Sequence, residues 1–231
     1  MAINIVILAA GVGSRLGLPH PKPLTPLTGG ETILHRALRH LTSRFACHSI
    51  HVVVGFKKEM IMEAVPDVGY IYNQRYGDTN TAKSLHKALT TLGPGGVLWL
   101  NGDVVFDEGV LDDVLPYLAM DRSFVCVNTA VVGDEEVKYT VDGHGYVGRL
   151  AKDVFDGAQG EAVGINFISA NDRATLTRRL HECDDHDYFE RGIEMAIDKD
   201  GLRVEALDIS THRVIEVDFP EDLARVLQTD P

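Results

Sequence analysis

The stretch Ile3-Asn4-Ile5-Val6-Ile7-Leu8-Ala9-Ala10-Gly11-Val12-Gly13-Ser14-Arg15-Leu16-Gly17-Leu18-Pro19-His20-Pro21-Lys22-Pro23-Leu24 passes from an apolar run, through glycines and small residues, to a lysine between prolines. A buried strand that ends in small residues lets backbone N–H groups approach an anion without obstruction by Cβ atoms. The sequence therefore predicts a phosphate loop formed by Leu8, Ala9, Ala10, Gly11, Gly13 and Ser14, with Arg15 and Lys22 placing two cations near the same charge. That chemistry suits a nucleoside triphosphate.

Two other glycine loops fail on spacing. A Walker loop closes on Gly-Lys-Ser/Thr, whereas here Leu18 follows Gly17 and the first lysine is Lys22. A dinucleotide fingerprint needs its third glycine three positions after the second, but Gly17 lies four after Gly13. It also wants an acid at the end of the next strand, and His51-Val52-Val53-Val54-Gly55-Phe56 offers none.

The stretch resembles the signature of the sugar-phosphate nucleotidyltransferase superfamily: Leu-Ala-Ala/Gly-Gly-x-Gly-Thr/Ser-Arg, a short spacer, then Pro-Lys. Here it stands as Leu8 to Arg15, a spacer from Leu16 to His20, and Pro21-Lys22. The resemblance is closest to phosphocholine cytidylyltransferases and their relatives acting on aminoethylphosphonate. It implies Mg²⁺-dependent transfer of a nucleotide, with CTP favoured, to a small phosphate or phosphonate acceptor, with release of pyrophosphate. The alternatives within the superfamily are a sugar 1-phosphate or inositol phosphate acceptor with CTP, UTP, dTTP or GTP. From other classes, a regulator that only binds nucleotide should have lost the cations or a metal acid. A glycosyltransferase should show Asp-x-Asp, which Gly102-Asp103-Val104-Val105 lacks.

The chain has 231 residues, 45% hydrophobic and 24% charged, enough for one α/β domain and ordinary for a globular protein. Its formal net charge of -12 argues against a nucleic-acid surface. No apolar run approaches the ~20 residues of a membrane span, and the N-terminus lacks a basic leader, so the expectation is a cytoplasmic protein. Cys47, Cys126 and Cys183 are widely separated, which predicts buried thiols rather than disulfides or a zinc site. A homodimer is compatible with the sequence and not specified by it.

Strands expected at 3–8, 50–54, 69–72, 97–101 and 124–128 alternate with helices at 32–44, 57–64, 81–91 and 108–117. This rhythm predicts a Rossmann-like α/β domain with a mostly parallel central sheet. In the second half, 137–141, 146–150 and 162–168 read as a small antiparallel β insertion. Helices at 172–180 and 188–198, strands at 203–208 and 214–218, and a helix from Pro220 complete one domain over 1–231. Its nucleotide-binding part covers about 1–130 and its acceptor-binding part about 131–231.

Asp103 follows an apolar strand, so its carboxylate should emerge at the ligand edge of the sheet as a Mg²⁺ ligand; an aspartate here also suits a helix cap. The resemblance adds Asp218 as the second metal acid. By alternation, Glu216 shares its face and is expected near the acceptor. Asn73, Thr79, Asn80 and Ser84 surround the opening of a helix, where amides and backbone N–H groups can meet a pyrimidine edge. The same residues would serve a plain capped helix. The resemblance marks Lys152 as a phosphate contact and Glu161 as an acceptor-site acid. Tyr188 opens an aromatic-aromatic-Glu helix start whose face suits an ammonium, or plain core packing. The run 181–187 reads as a solvated acidic loop.

Overall fold

Every strand of the central sheet but one runs the same way. The computed structural model describes residues 3–130, 136–153 and 156–229; the side chain of Ser14, one of the expected loop contacts, lies outside the described residues. The elements follow in the order β1 (Ile3–Ala9), α1 (Ile33–Thr42), β2 (Ile50–Val54), α2 (Lys58–Ala64), β3 (Gly69–Tyr72), α3 (Thr81–Thr91), β4 (Gly96–Asn101), β5 (Val104–Phe106), α4 (Val110–Ala119), β6 (Phe124–Asn128), β7 (Lys138–Val141), β8 (Val147–Ala151), β9 (Gly160–Ile168), α5 (Arg173–Glu182), α6 (Phe189–Asp200), β10 (Glu205–Asp208), β11 (Val214–Glu216) and α7 (Pro220–Thr229). The sheet order is β10-β6-β9-β4-β1-β2-β3, and only β9 is antiparallel to its neighbours. β7 and β8 branch from β9 as the small antiparallel insertion, so the expected mixed α/β fold is the observed one.

β1 lies inside this sheet, between β4 and β2, and is apolar on both faces, as a covered parallel strand must be. Ile5, Ile7 and Ala9 enter the core beneath α1 and α4, and Val6, Leu8 and Ala10 enter the one beneath α3, α5 and α6. Thr32 caps α1 by accepting from the His35 amide at 3.3 Å, and Asn80 caps α3 by accepting from the Thr81 amide at 2.8 Å.

Three details differ from expectation. The sequence reading carries 104–106 straight toward the next helix, yet Val104-Val105-Phe106 forms β5 and pairs antiparallel with β11. The acidic loop 181–187 is not merely solvated. Its backbone carbonyls hold Lys83 Nζ, at 3.0 Å for His181 and 2.5 Å for Cys183, and the Asp185 carbonyl accepts from the Asn80 amide at 2.8 Å. Cys126 and Cys183 are buried as expected, but Cys47 is only partly so, on a short turn with its Sγ directed to the Asp67 carbonyl. Among the described residues no helix is long and apolar enough to cross a membrane.

Candidate active site

The carboxyl ends of β1 and β4 open into a cleft of ≈390 Å³. Its first wall is the opening loop, where Leu8, Ala9, Gly11, Gly13 and Arg15 line the cavity. Ala10 does not; it is buried, and its carbonyl accepts from the Phe56 amide at 3.0 Å. Lys22 sits on a turn between Pro21 and buried Pro23, so its stem leaves the backbone in a fixed direction.

β5 and β11 bring the two expected metal acids together. Glu216 pairs with Val104, and the Val217 amide donates to the Asp103 carbonyl at 3.0 Å, which sets Asp103 beside Asp218. Asp222, in the first turn of α7, accepts from the amides of Asp218 and Phe219 at 3.1 and 2.8 Å. Asp222 thus fixes the backbone of the turn that enters the helix, and Asp218 lines the cleft. Gly102 makes room for this arrangement: its amide donates to the Leu8 carbonyl at 2.9 Å, and a Cβ there would lie 2.7 Å from that same oxygen.

Lys22 Nζ donates to Asp103 Oδ2 at 2.8 Å and to Asp218 Oδ1 at 2.5 Å, and Arg15 donates to Asp218 Oδ2 at 3.0 Å. The Arg15 guanidinium also lies 5.6 Å from the Phe219 ring centroid. Burial disfavours the charge on Lys22, but Asp103 and Asp218 outweigh it and hold the ammonium above the ordinary lysine range. Burial likewise opposes ionisation of Asp218, and Lys22 and Arg15 overcome it and keep the acid below its usual range.

Two carboxylate oxygens aimed at one cation-sized point are a fit test for a metal, with the ammonium as stand-in. The donors are hard oxygens, which suit Mg²⁺. Among the described residues no group of three or more His, Cys, Asp or Glu is set to hold a metal. A metal here would rest on Asp103 and Asp218 and complete its shell with phosphate and water, the usual Mg²⁺ arrangement.

The side wall is formed by Tyr76, Thr79, Asn80 and Thr81. Asn73 and Ser84 are not brought to it. Both are buried, and Asn73 Nδ2 donates to Ser84 Oγ at 3.0 Å and to Thr79 Oγ1 at 3.1 Å, so they brace the helix opening from beneath.

The far end is acidic and aromatic. Lys152, Tyr188 and Glu216 line it, joined by Glu136 and Glu190. Lys152 Nζ stands 5.2 Å from the Tyr188 ring centroid. Glu161, on β9, does not line the cleft, although its charge acts on Glu136. Burial, and then repulsion from Asp103, Glu136, Glu190 and Asp218, lifts Glu216 well above the carboxylate range. Burial pushes Glu190 up to about 7, and its Oε2 is buried without a hydrogen-bond partner. Glu136 is also raised, by burial and by Glu161. Glu136 and Tyr76 were missed in the sequence because no local motif marks them; Glu190 was signalled only as the neighbour of Tyr188.

The comparisons with known proteins follow the same lines. A family model described as the MobA-like NTP transferase domain matches residues 5–173. A CMP-5'-(3-aminopropyl)phosphonate synthase from Streptomyces rubellomurinus is 37% identical over 119 residues, 48% of this chain and 18% of that protein. The bifunctional protein GlmU of Acidithiobacillus ferrooxidans is 35% identical over 169 residues, 71% of this chain and 33% of that protein. The matched stretch therefore spans a third or less of these curated relatives. Among solved structures, the CTP:phosphocholine cytidylyltransferase of Streptococcus pneumoniae superposes with a TM-score of 0.79 at 18% identity, covering 99% of each chain.

Proposed function

The chain belongs to the MobA-like NTP transferase family, and from that premise we propose that it is a Mg²⁺-dependent cytidylyltransferase acting on a small phosphate or phosphonate that carries an ammonium group. The observation that carries the proposal is the convergence of Lys22 and Arg15, from the signature loop, on Asp103 and Asp218, from two strand ends.

In this reading the triphosphate lies along the opening loop, where the backbone approaches it at Gly11 and Gly13 and Arg15 and Lys22 neutralise it. A divalent ion, when bound, would add charge neutralisation at the reacting phosphate. Asp103 and Asp218 are the residues that would hold it. Thr79 and Asn80 face the base. A phosphate or phosphonate oxygen is already a competent nucleophile, so no covalent enzyme intermediate is required. Its oxygen forms the new bond to the α-phosphorus as the bond to the pyrophosphate oxygen breaks. Lys152 holds the attacking group, and the protein's work is positioning and neutralisation.

The acceptor class rests on the far end of the cleft. Burial raises the carboxyls of Glu136, Glu190 and Glu216, Glu216 being pushed further by Asp103, Glu136, Glu190 and Asp218, and a ligand cation beside them offsets the cost of their charge. The Tyr188 ring, which already faces a cation in Lys152 Nζ at 5.2 Å, lines the same end of the cleft. The relative named for an aminopropylphosphonate product supports this choice. A second reading, a sugar 1-phosphate acceptor, is the alternative that the resemblance of the signature loop leaves open. Pyrophosphate release measured with CTP, UTP, dTTP and GTP, against phosphocholine, an aminoalkylphosphonate and hexose 1-phosphates, decides between them. Release with CTP and an ammonium-bearing acceptor is expected; no release with CTP rejects the reading.

A further inference from the structure

The Asp103–Asp218 pair already holds a cation of the protein's own. Lys22 Nζ takes the inward oxygens of both carboxylates, and Arg15 takes the remaining oxygen of Asp218. A divalent ion drawn to these carboxylates would compete for the same two oxygens to which the ammonium already donates, at 2.8 Å for Asp103 and 2.5 Å for Asp218. The Lys22 side chain is only 12% exposed and springs from a proline-bounded turn, which leaves a displaced ammonium little access to bulk water. The two carboxylates, Lys22 and Arg15 also sum to no net charge. A bare divalent ion would make this partly buried cluster positive, whereas a metal–triphosphate complex is anionic and brings oxygens that can accept from Lys22.

We propose that Lys22 closes the carboxylate pair to free divalent ions, so that the metal enters only with a nucleoside triphosphate, to whose oxygens the ammonium transfers. This rests on the nucleotidyl-transfer reading and adds to it an order of events and a selection at the metal site. Lys22 is both the guard of the empty pair and a phosphate contact once the pair is filled.

The test is binding, read without turnover, by titrating the full chain with Mn²⁺ and following the electron paramagnetic resonance signal of the free ion. Without nucleotide, Lys22→Met is expected to bind Mn²⁺ at least about tenfold more tightly than the wild type, the lower end of the coupling seen between close charge pairs. Lys22→Arg, which keeps the charge, should still exclude it, and Lys22→Met combined with Asp103→Asn should lose the gain. With CTP present, the wild type should take up Mn²⁺. Equal binding of free Mn²⁺ by wild type and Lys22→Met, with Mn–CTP still bound, would overturn the guard role alone. Failure of the wild type to bind Mn²⁺ with any of the four triphosphates would overturn the functional reading and the guard role with it.

Discussion

Gly102 is the position at which a single methyl group should separate the fold from the chemistry. In Gly102→Ala the new Cβ lies 2.7 Å from the Leu8 carbonyl oxygen, 3.0 Å from Pro23 Cγ and 3.3 Å from Ala9 Cα. None of these is the end of a flexible side chain: Leu8 and Ala9 belong to β1, and Pro23 follows Lys22. The contact with Leu8 must open from 2.7 Å to the 3.4 Å of ordinary van der Waals contact, a shift of about 0.7 Å. Overpacking of this kind costs about 1–3 kcal/mol of stability. The movement falls on Asp103 from one side and on Lys22 from the other, and a misplacement near 1 Å costs on the order of a hundredfold in rate. Urea unfolding and pyrophosphate release, measured on the same preparation, test both halves. Wild-type stability with wild-type turnover would refute the packing argument. Wild-type turnover with the expected loss of stability would show that Gly102 serves the fold and not the placement of the two charged groups.

The remaining predictions concern single groups. Lys22→Ala and Asp103→Ala should each lower turnover at least about a hundredfold, the scale of one preorganised charge contact, and near-normal pyrophosphate release in either would sink the site assignment. Asp222→Ala removes the acceptor for the Asp218 and Phe219 amides; it should cost about 1 kcal/mol in denaturant unfolding and raise the apparent metal requirement as Asp218 loses its anchor. Glu190, with its ordinary value of 4.5 raised to about 7, binds more protons folded than unfolded between those pH values. Its contribution to stability is therefore full below about pH 4.5 and falls as pH rises through 7. Glu190→Gln should flatten that part of the pH–stability curve, and an unchanged slope would refute the assignment. If the acceptor carries an ammonium, its KM should fall as pH rises through about 7 in the wild type and not in Glu190→Gln.

What the sequence revealed and what it hid divide along local and long-range structure. The strand, glycine loop and Pro-Lys turn lie within two dozen residues, so Arg15 and Lys22 could be placed before any tertiary contact was known. Asp103 was readable because an apolar strand ends just before it, whereas Asp218 came from the family resemblance alone, its place before Pro220 suiting a helix cap equally. The residues expected at the base were less legible. Polar side chains at a helix opening can face a ligand or one another, and packing of α3 turned Asn73 and Ser84 inward while Thr79 and Asn80 reached the cleft. Glu136 reaches the cleft through pairings of β6, β7 and β9 that no short motif encodes. Likewise, nothing local in the run 181–187 shows that its carbonyls gather Lys83 and the Asn80 amide.

The two-stranded β5–β11 sheet explains why such distant acids can share the Lys22 ammonium. Its ladder fixes Glu216 opposite Val104 and carries Val217 onto the Asp103 carbonyl, so the separation of the carboxylates is set by backbone hydrogen bonds rather than by side-chain reach. On the same strand, alternation turns Glu216 toward Asn101 and toward Gly164, where a φ of +67° and an approach that would leave Glu216 Oε1 2.3 Å from any Cβ demand glycine. One short strand therefore delivers Asp218 to the proposed metal and Glu216 to the proposed acceptor. Gly164→Ala should consequently disturb acceptor KM more than nucleotide binding. A variant that weakened both equally would show that β11 moves as a unit and that the two ends of the cleft are mechanically coupled.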